Sequence, residues 1–338
     1  MNNIIEEDAL AITNNINCSV LAEKVILITG ASGLIGIYFL ACIKVISLKI
    51  GGIKVVAVIQ SEPSEQFKRV IDFKGASYLR GDITDITFAN GLPQADYIIH
   101  AAGYGQPLKF MESPEKTLKL NTLTTFILFD KLQKDGHFLF ISSSEVYSNL
   151  KADKYTEDDI GISNTTHPRA CYIEGKRAGE AICNAYRTKG IQAFSARLAH
   201  TYGPGSKKGD KRVLLAFIEK ALNGEINMLD KGEAIRTYCY VADAVEIMFN
   251  ILLFGKQPIY NVAGKSKTSI YNLAKTIGDI VNVPVYLPES LQAVPGAPKE
   301  VQVDTSRAET EFNKSNYISL EDGLLRTISW YKNEINNE

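Results

Sequence analysis

The stretch Val25-Ile26-Leu27-Ile28-Thr29-Gly30-Ala31-Ser32-Gly33-Leu34-Ile35-Gly36 decides the fold. Its first five residues form an unbroken, largely β-branched run, as in a parallel strand buried on both faces. Three glycines in G-x-x-G-x-x-G spacing then turn the chain, and an apolar helix follows near 34–48. Glycines permit a tight turn and let backbone approach a pyrophosphate. The helix N-terminus beyond them offers free N–H groups and a partial positive charge. Strand, glycine turn and helix in this order predict a dinucleotide site built from Gly30, Ser32, Gly33, Leu34, Ile35 and Gly36.

Further strands are expected at 55–59, 76–79, 97–99, 138–141 and 193–197. Helices are expected near 114–134 and 169–189. This alternation predicts an α/β fold, a doubly wound parallel sheet of Rossmann type over 25–200. At Tyr202-Gly203-Pro204-Gly205 the rhythm breaks. Residues 201–338 read as a smaller α/β substrate lobe, with the chain crossing back near 236–262. Residues 1–24 are an N-terminal extension, with an amphipathic helix at 4–16. Val283 to Pro298 holds four prolines and suits an irregular segment over a cleft. Residues 320–335 read as a closing helix with Trp330 and Tyr331 on its apolar face.

With 37 basic against 38 acidic residues, the net charge of -1 gives no nucleic-acid footprint and no reason to expect an anionic membrane surface. No apolar run reaches the roughly 18 residues of a membrane span. The acidic N-terminus lacks the basic start of a signal peptide, so a cytoplasmic chain is expected. Five cysteines without a C-x-x-C pair argue against a disulfide framework or zinc site. Four histidines without H-E-x-x-H spacing argue against a catalytic metal.

Thr29-Gly30, with Gly33 and Gly36, resembles the short-chain dehydrogenase/reductase superfamily, particularly its extended branch of sugar-nucleotide enzymes, the NAD-dependent epimerases and dehydratases. The resemblance implies that Asp82 and Ile83 contact adenine, that His100-Ala101-Ala102 lies beside the cofactor, and that Asn121 is the branch's helix asparagine. An acidic residue ending strand two favours NAD by holding the adenosine ribose. Here that end reads Val58-Ile59-Gln60-Ser61-Glu62, with Gln60 and Ser61 in the ribose position and Glu62 slightly late. No arginine is close in sequence to claim a 2′-phosphate. NAD is the expected cofactor, and NADP is left open.

Tyr-x-x-x-Lys places two side chains on one helix face, where an ammonium can stabilise a phenolate for acid/base work. The spacing occurs at Tyr147/Lys151, Tyr172/Lys176 and Tyr271/Lys275. Tyr172 opens a long helix after strand five, and Gly175, Ala178, Gly179 and Ala181 let that helix pack closely. Tyr172 and Lys176 are therefore the expected acid/base pair. The resemblance makes Ser143 the hydroxyl catalyst. Ser142 and Ser144 are read as satisfying backbone or lining the pocket, Ser142 on the cofactor side and Ser144 on the substrate side. Ser144-Glu145-Val146-Tyr147 resembles UDP-glucuronate decarboxylases, whereas 4,6-dehydratases carry Asp-Glu at the first two positions. Arg169 to Arg177 also resembles the decarboxylase helix. Glu145 is accordingly a catalytic candidate. Lys299 is a partial stand-in for the arginine that decarboxylases use to meet a substrate carboxylate. Glu300 beside it would repel one, which keeps C4 epimerisation open.

Arg197-Leu198-Ala199-His200-Thr201-Tyr202-Gly203-Pro204 resembles R-x-x-N-x-Y-G-P, with His200 replacing the phosphate-binding asparagine. Arg236 to Asp243 resembles R-x-x-x-Y-V-x-D, whose arginine meets the diphosphate or ribose. A basic loop holds Lys207, Lys208, Lys211 and Arg212, either solvated or beside phosphate. The resemblance implies oxidation of a sugar C4 hydroxyl to a 4-keto intermediate, then epimerisation or decarboxylation and re-reduction. Alternatives are a single-step reductase or dehydrogenase of a keto sugar nucleotide, or a 4,6-dehydratase. Intact Ser143, Tyr172 and Lys176 weigh against a non-catalytic NAD(P) sensor. By analogy with the family, the helices near 114–134 and 169–189 are expected to form a homodimer interface.

Overall fold

The computed structural model describes residues 4–288 and 302–335. In chain order the first half holds α1 (Ile4–Asn14), β1 (Val25–Thr29), α2 (Leu34–Lys49), β2 (Lys54–Ile59), α3 (Glu65–Ile71), β3 (Ala76–Arg80), α4 (Ile86–Asn90) and β4 (Ala95–His100). Then come α5 (Pro107–Glu112), α6 (Pro114–Asn121), α7 (Leu123–Phe129), β5 (Leu132–Ser143), α8 (Ala170–Arg187) and β6 (Gln192–Leu198). The second half holds β7 (His200–Tyr202), α9 (Val213–Leu222), β8 (Ile226–Asn227), β9 (Ile235–Tyr240), α10 (Val241–Phe254) and β10 (Ile259–Val262). It closes with β11 (Ser266–Ser269), α11 (Ile270–Val281), β12 (Val285–Tyr286), α12 (Ser306–Phe312) and α13 (Leu320–Ile335).

A seven-stranded sheet runs β10-β6-β5-β4-β1-β2-β3, with every pair parallel. The strand order reverses beside β1, where an open α/β sheet leaves a crevice at its carboxyl edge. α2 is buried almost all round, because the sheet covers one side and α1 and α10 cover the other. That coverage explains its nearly continuous apolar sequence. A second sheet, β11-β9-β7, pairs β7 with β9 in parallel and β9 with β11 antiparallel. A short parallel pair joins β8 to β12.

α1 spans 4–14 and lays Ile5, Ala9 and Ile12 against the core. Burying Ile5 and Ile12 contributes about 1.5–3 kcal/mol each. The helix expected over 114–134 is two helices, α6 and α7, broken at Thr122 (ψ -79°). Thr122 and Thr125 bond back to the carbonyls of Leu118 and Asn121, a habit of threonine that disturbs a helix. β5 then begins at Leu132, earlier than the apolar run suggested, with its register to β4 shifting between Ala95 and Tyr97. Tyr331 is buried on α13, and Trp330 is half-buried beside it. Most of the proline-rich segment, with Lys299 and Glu300, lies outside the described residues. Among the described residues no helix is long and apolar enough to cross a membrane. The five cysteines are free and buried.

Candidate active site

Gly30 sits at φ +66°, and a Cβ there would come within 2.6 Å of the backbone of Ala101 and Ala102. A Cβ on Gly36 would lie 2.5 Å from Ala31 Cα, so the first turn of α2 presses on the loop. These two positions need glycine, and the turn they shape fits a pyrophosphate at the N-terminus of α2. Ser32, Gly33, Leu34 and Ile35 are partly exposed around it. Ala101 and Ala102 are partly exposed at the end of β4.

The His100 side chain turns into the protein at the end of β4. The ring is 1% exposed, and burial pushes its pKa down to about 3, so it is neutral. Nε2 faces the Leu120 carbonyl at 3.0 Å, which requires its proton. Nδ1 then accepts from the Thr29 hydroxyl at 2.8 Å, and Thr29 in turn accepts from Ala102 N–H at 3.2 Å. The imidazole thus ties the ends of β1 and β4 into the floor of the site. Asn121 is 1% exposed; its amide donates to Thr117 O at 2.8 Å while Oδ1 is buried without a partner. An orphan acceptor of this kind costs about 1–3 kcal/mol and marks a functional position or a bound water.

Asp82 bonds Thr84 and pairs with Lys116. Burial opposes its charge, but the bonds from Lys116 and Thr84 hold its carboxyl below the ordinary value. The Ile83 side chain points into an apolar cluster rather than into open space. Gln60 and Ser61 are exposed past β2. Glu62 pairs with Arg80 at the end of β3. No arginine is close to this spot in sequence. Parallel pairing of Ile59 with Arg80 brings one there from 18 residues beyond Glu62.

Ser143 ends β5 and caps the 3-10 turn Ser144–Tyr147, its Oγ accepting from Glu145 N–H at 3.2 Å. Ser144 is partly exposed on that turn. Tyr172 lies in the first turn of α8, which packs so closely on β5 that a Cβ on Gly179 would meet the Phe140 ring at 2.2 Å. Burial pushes the Tyr172 phenol up to about 12, against the pull of a hydrogen bond from Ser143. Burial likewise pushes Lys176 down to about 7, against Glu180. The Lys176 ammonium donates to Ile141 O at 2.7 Å and lies 5.7 Å from the Tyr172 ring centre. Burial is the largest influence on both groups.

The Tyr172 ring stacks on Phe110 of α5, centres 4.5 Å apart and planes 11° apart. Arg169 lies over the same Phe110 ring at 5.5 Å and grips both carboxylate oxygens of Glu145. Phe110 carried no sequence signal, because it sits on a six-residue helix without periodicity. Arg169 was visible only as part of the helix motif.

Two expected ligands are structural instead. Arg197 is 3% exposed and bonds Glu180, the Tyr147 hydroxyl and the carbonyls of Glu157 and Asp159. It points inward from β6 and is not available to a substrate. The Ser142 hydroxyl donates to Glu180 at 2.5 Å, so it braces this ion pair rather than the cofactor. Tyr147 also belongs to the brace, donating to Asn261 at 2.7 Å. Tyr271 lies on α11 in the second half.

His200 stands on β7 opposite Tyr238 of β9. The residue is exposed, yet protein packed around its ring, then the fields of Arg236, Arg212 and Arg169, push its pKa down to about 4. Arg212, held by Asp210, also acts on the Tyr172 phenol. Burial pushes Lys207 down, with Lys109 nearby adding to the effect. Arg236, Arg212 and Arg169 are the charged groups that act on His200; Arg169 is paired with Glu145 and Arg212 with Asp210. Guanidinium forks suit phosphate oxygens.

A model of the NAD dependent epimerase/dehydratase family matches residues 26–263. UDP-glucuronic acid decarboxylase 1 of Xenopus tropicalis is 31% identical over 248 residues, covering 72% of this chain and 59% of that protein. UDP-glucuronic acid decarboxylase 6 of Arabidopsis thaliana is 28% identical over 302 residues, covering 88% of this chain and 86% of that one. In structure, an epimerase from Methanothermobacter thermautotrophicus matches at a TM-score of 0.79 and 20% identity, over 99% of this chain and 97% of its own, which establishes a shared fold. The chain belongs to the NAD-dependent epimerase/dehydratase family, whose members are enzymes and whose cofactor is NAD.

Proposed function

We propose that the chain oxidises the C4 hydroxyl of a sugar nucleotide to a 4-keto intermediate, which is epimerised or decarboxylated and then reduced again. One observation carries this reading: Ser143, Tyr172 and Lys176 meet at the carboxyl edge of β5, one strand from the end of β4 where Ala101 and Ala102 press on Gly30. Ser143 Oγ holds the sugar O4. Tyr172 takes the O4 proton and later returns it. Lys176, over the phenol ring, stabilises the phenolate as the proton moves. NAD supplies the hydride acceptor, held by the turn Gly30–Gly36, Asp82 and the backbone of Ala101 and Ala102. Arg236, with His200 as a neutral hydrogen-bond partner, holds the diphosphate. Glu145, paired with Arg169, faces the sugar beyond C4. The named decarboxylase relatives and the Ser144-Glu145 pair support an acidic sugar as substrate.

The test is turnover of UDP-glucuronate and of UDP-, dTDP-, GDP- and CDP-sugars, with products followed by NMR. Conversion by the wild type, and its loss in Tyr172→Phe, is the expected result. Near-full activity of Tyr172→Phe overturns the reading.

A further inference from the structure

α1 touches both halves of the molecule through one buried carboxylate. Asp8 is 3% exposed. Its Oδ2 accepts from the Tyr38 hydroxyl at 2.8 Å and from the Tyr240 hydroxyl at 2.7 Å. Its Oδ1 accepts from Arg326 at 2.9 Å. Tyr38 lies on α2, the helix that opens at the glycine turn. Tyr240 ends β9, the strand that carries Arg236 four residues earlier. Arg326 lies on α13 and also pairs with Glu7.

The surroundings run the same way. The loop after β7 lies against both helices: a Cβ on Gly205 would be 3.5 Å from Ile5 of α1 and 3.7 Å from Leu34 of α2. Tyr331 of α13 donates to the Ser206 carbonyl at 3.3 Å. β7 carries His200, and β7 pairs with β9. The strands bearing both candidate phosphate ligands are thus backed by α1, by the start of α2 and by α13.

A carboxylate in this position is an expensive way to hold a core together, since apolar side chains of similar volume often serve as well. What it adds is direction: two phenols on one oxygen and a guanidinium on the other fix a single arrangement of three elements. We propose that Asp8 is a positioning residue for the nucleotide end of the site. Through Tyr240 and Tyr38 it fixes the strand of Arg236 relative to the helix that begins at the cofactor turn. The proposal rests on the reading of Arg236 as a diphosphate ligand. Small displacements of a ligand-bearing strand weaken binding several-fold or more.

The experiment is calorimetric titration of the full chain. UDP, dTDP, GDP and CDP are titrated into the wild type, and the tightest binder is carried forward beside NAD. The variants are Tyr240→Phe, Asp8→Asn and Arg236→Ala. The expected result is nucleoside diphosphate binding roughly five- to tenfold weaker in Tyr240→Phe and Asp8→Asn, with NAD affinity within about twofold of wild type. A purely structural role lowers the melting temperature and leaves both affinities alone, and that result overturns the proposal. So does an equal loss of NAD and nucleotide affinity. If Asp8→Asn does not fold, Tyr240→Phe decides, since it removes one hydroxyl. If Arg236→Ala binds as tightly as wild type, or the wild type binds none of the four nucleotides, the Arg236 reading fails first and the proposal falls with it.

Discussion

Lys176 and Tyr172 are both held near neutrality by burial, the lysine at about 7 and the phenol at about 12. This has a measurable consequence for stability. The folded chain binds fewer protons at Lys176 than the unfolded chain does between pH 7 and the ordinary lysine value of 10.5. Stability therefore rises with pH across that window, and the penalty is full below it. Lys176→Met removes the titration. Its melting temperature should exceed that of wild type near pH 6, with the gain shrinking towards pH 10. A constant difference at all pH values contradicts the buried, depressed lysine. The same variant should lose turnover by a factor of about 10²–10⁴, the ordinary worth of a general acid/base system. Thermal scans and initial rates on one preparation check both. Tyr172 and Lys176 are expected from helix spacing and the strand before them, and Ser143 from the family resemblance; the structure brings the three together. Phe110 and Arg80 were not legible, since a six-residue helix and a strand register bring them in from distant sequence. Arg197 was misread because its motif marks a strand whose arginine turns inward to Glu180.

At the level of elements, the glycine turn and its flanking strand and helix were the surest reading. Buried β-branched runs and a tight turn leave few alternatives. The second half is harder to read from sequence. β7, β11 and β12 have two to four residues each, too short for alternation to show, and their pairing is set by tertiary contacts. Threonines at 122 and 125 hid a break inside an apparent single helix. The closeness of α2 to its turn gives a direct test. Gly36→Ala puts a Cβ within 2.5 Å of Ala31 Cα, so the turn must shift. The variant should lose about 1–3 kcal/mol of stability and bind NAD more weakly. Denaturant melts and NAD titration check it; unchanged NAD affinity contradicts a phosphate role for this turn.

At the scale of the whole molecule, α6 and α7 present Leu118, Leu123 and Phe126 at 40%, 38% and 47% exposure, an apolar face without a covering element among the described residues. We propose a homodimer through this face and α8. Light scattering at micromolar concentration should give twice the chain mass, and Phe126→Glu should return it towards the monomer. A monomeric wild type contradicts this. The proposed reaction turns on a hydride leaving and returning at one sugar carbon. The most direct measurement uses a sugar nucleotide deuterated at C4, turned over by the wild type and followed by NMR. Slowed turnover with deuterium retained at C4 in the product is the expected result. Turnover indifferent to the label, or a product with C4 deuterium lost to solvent, would contradict it.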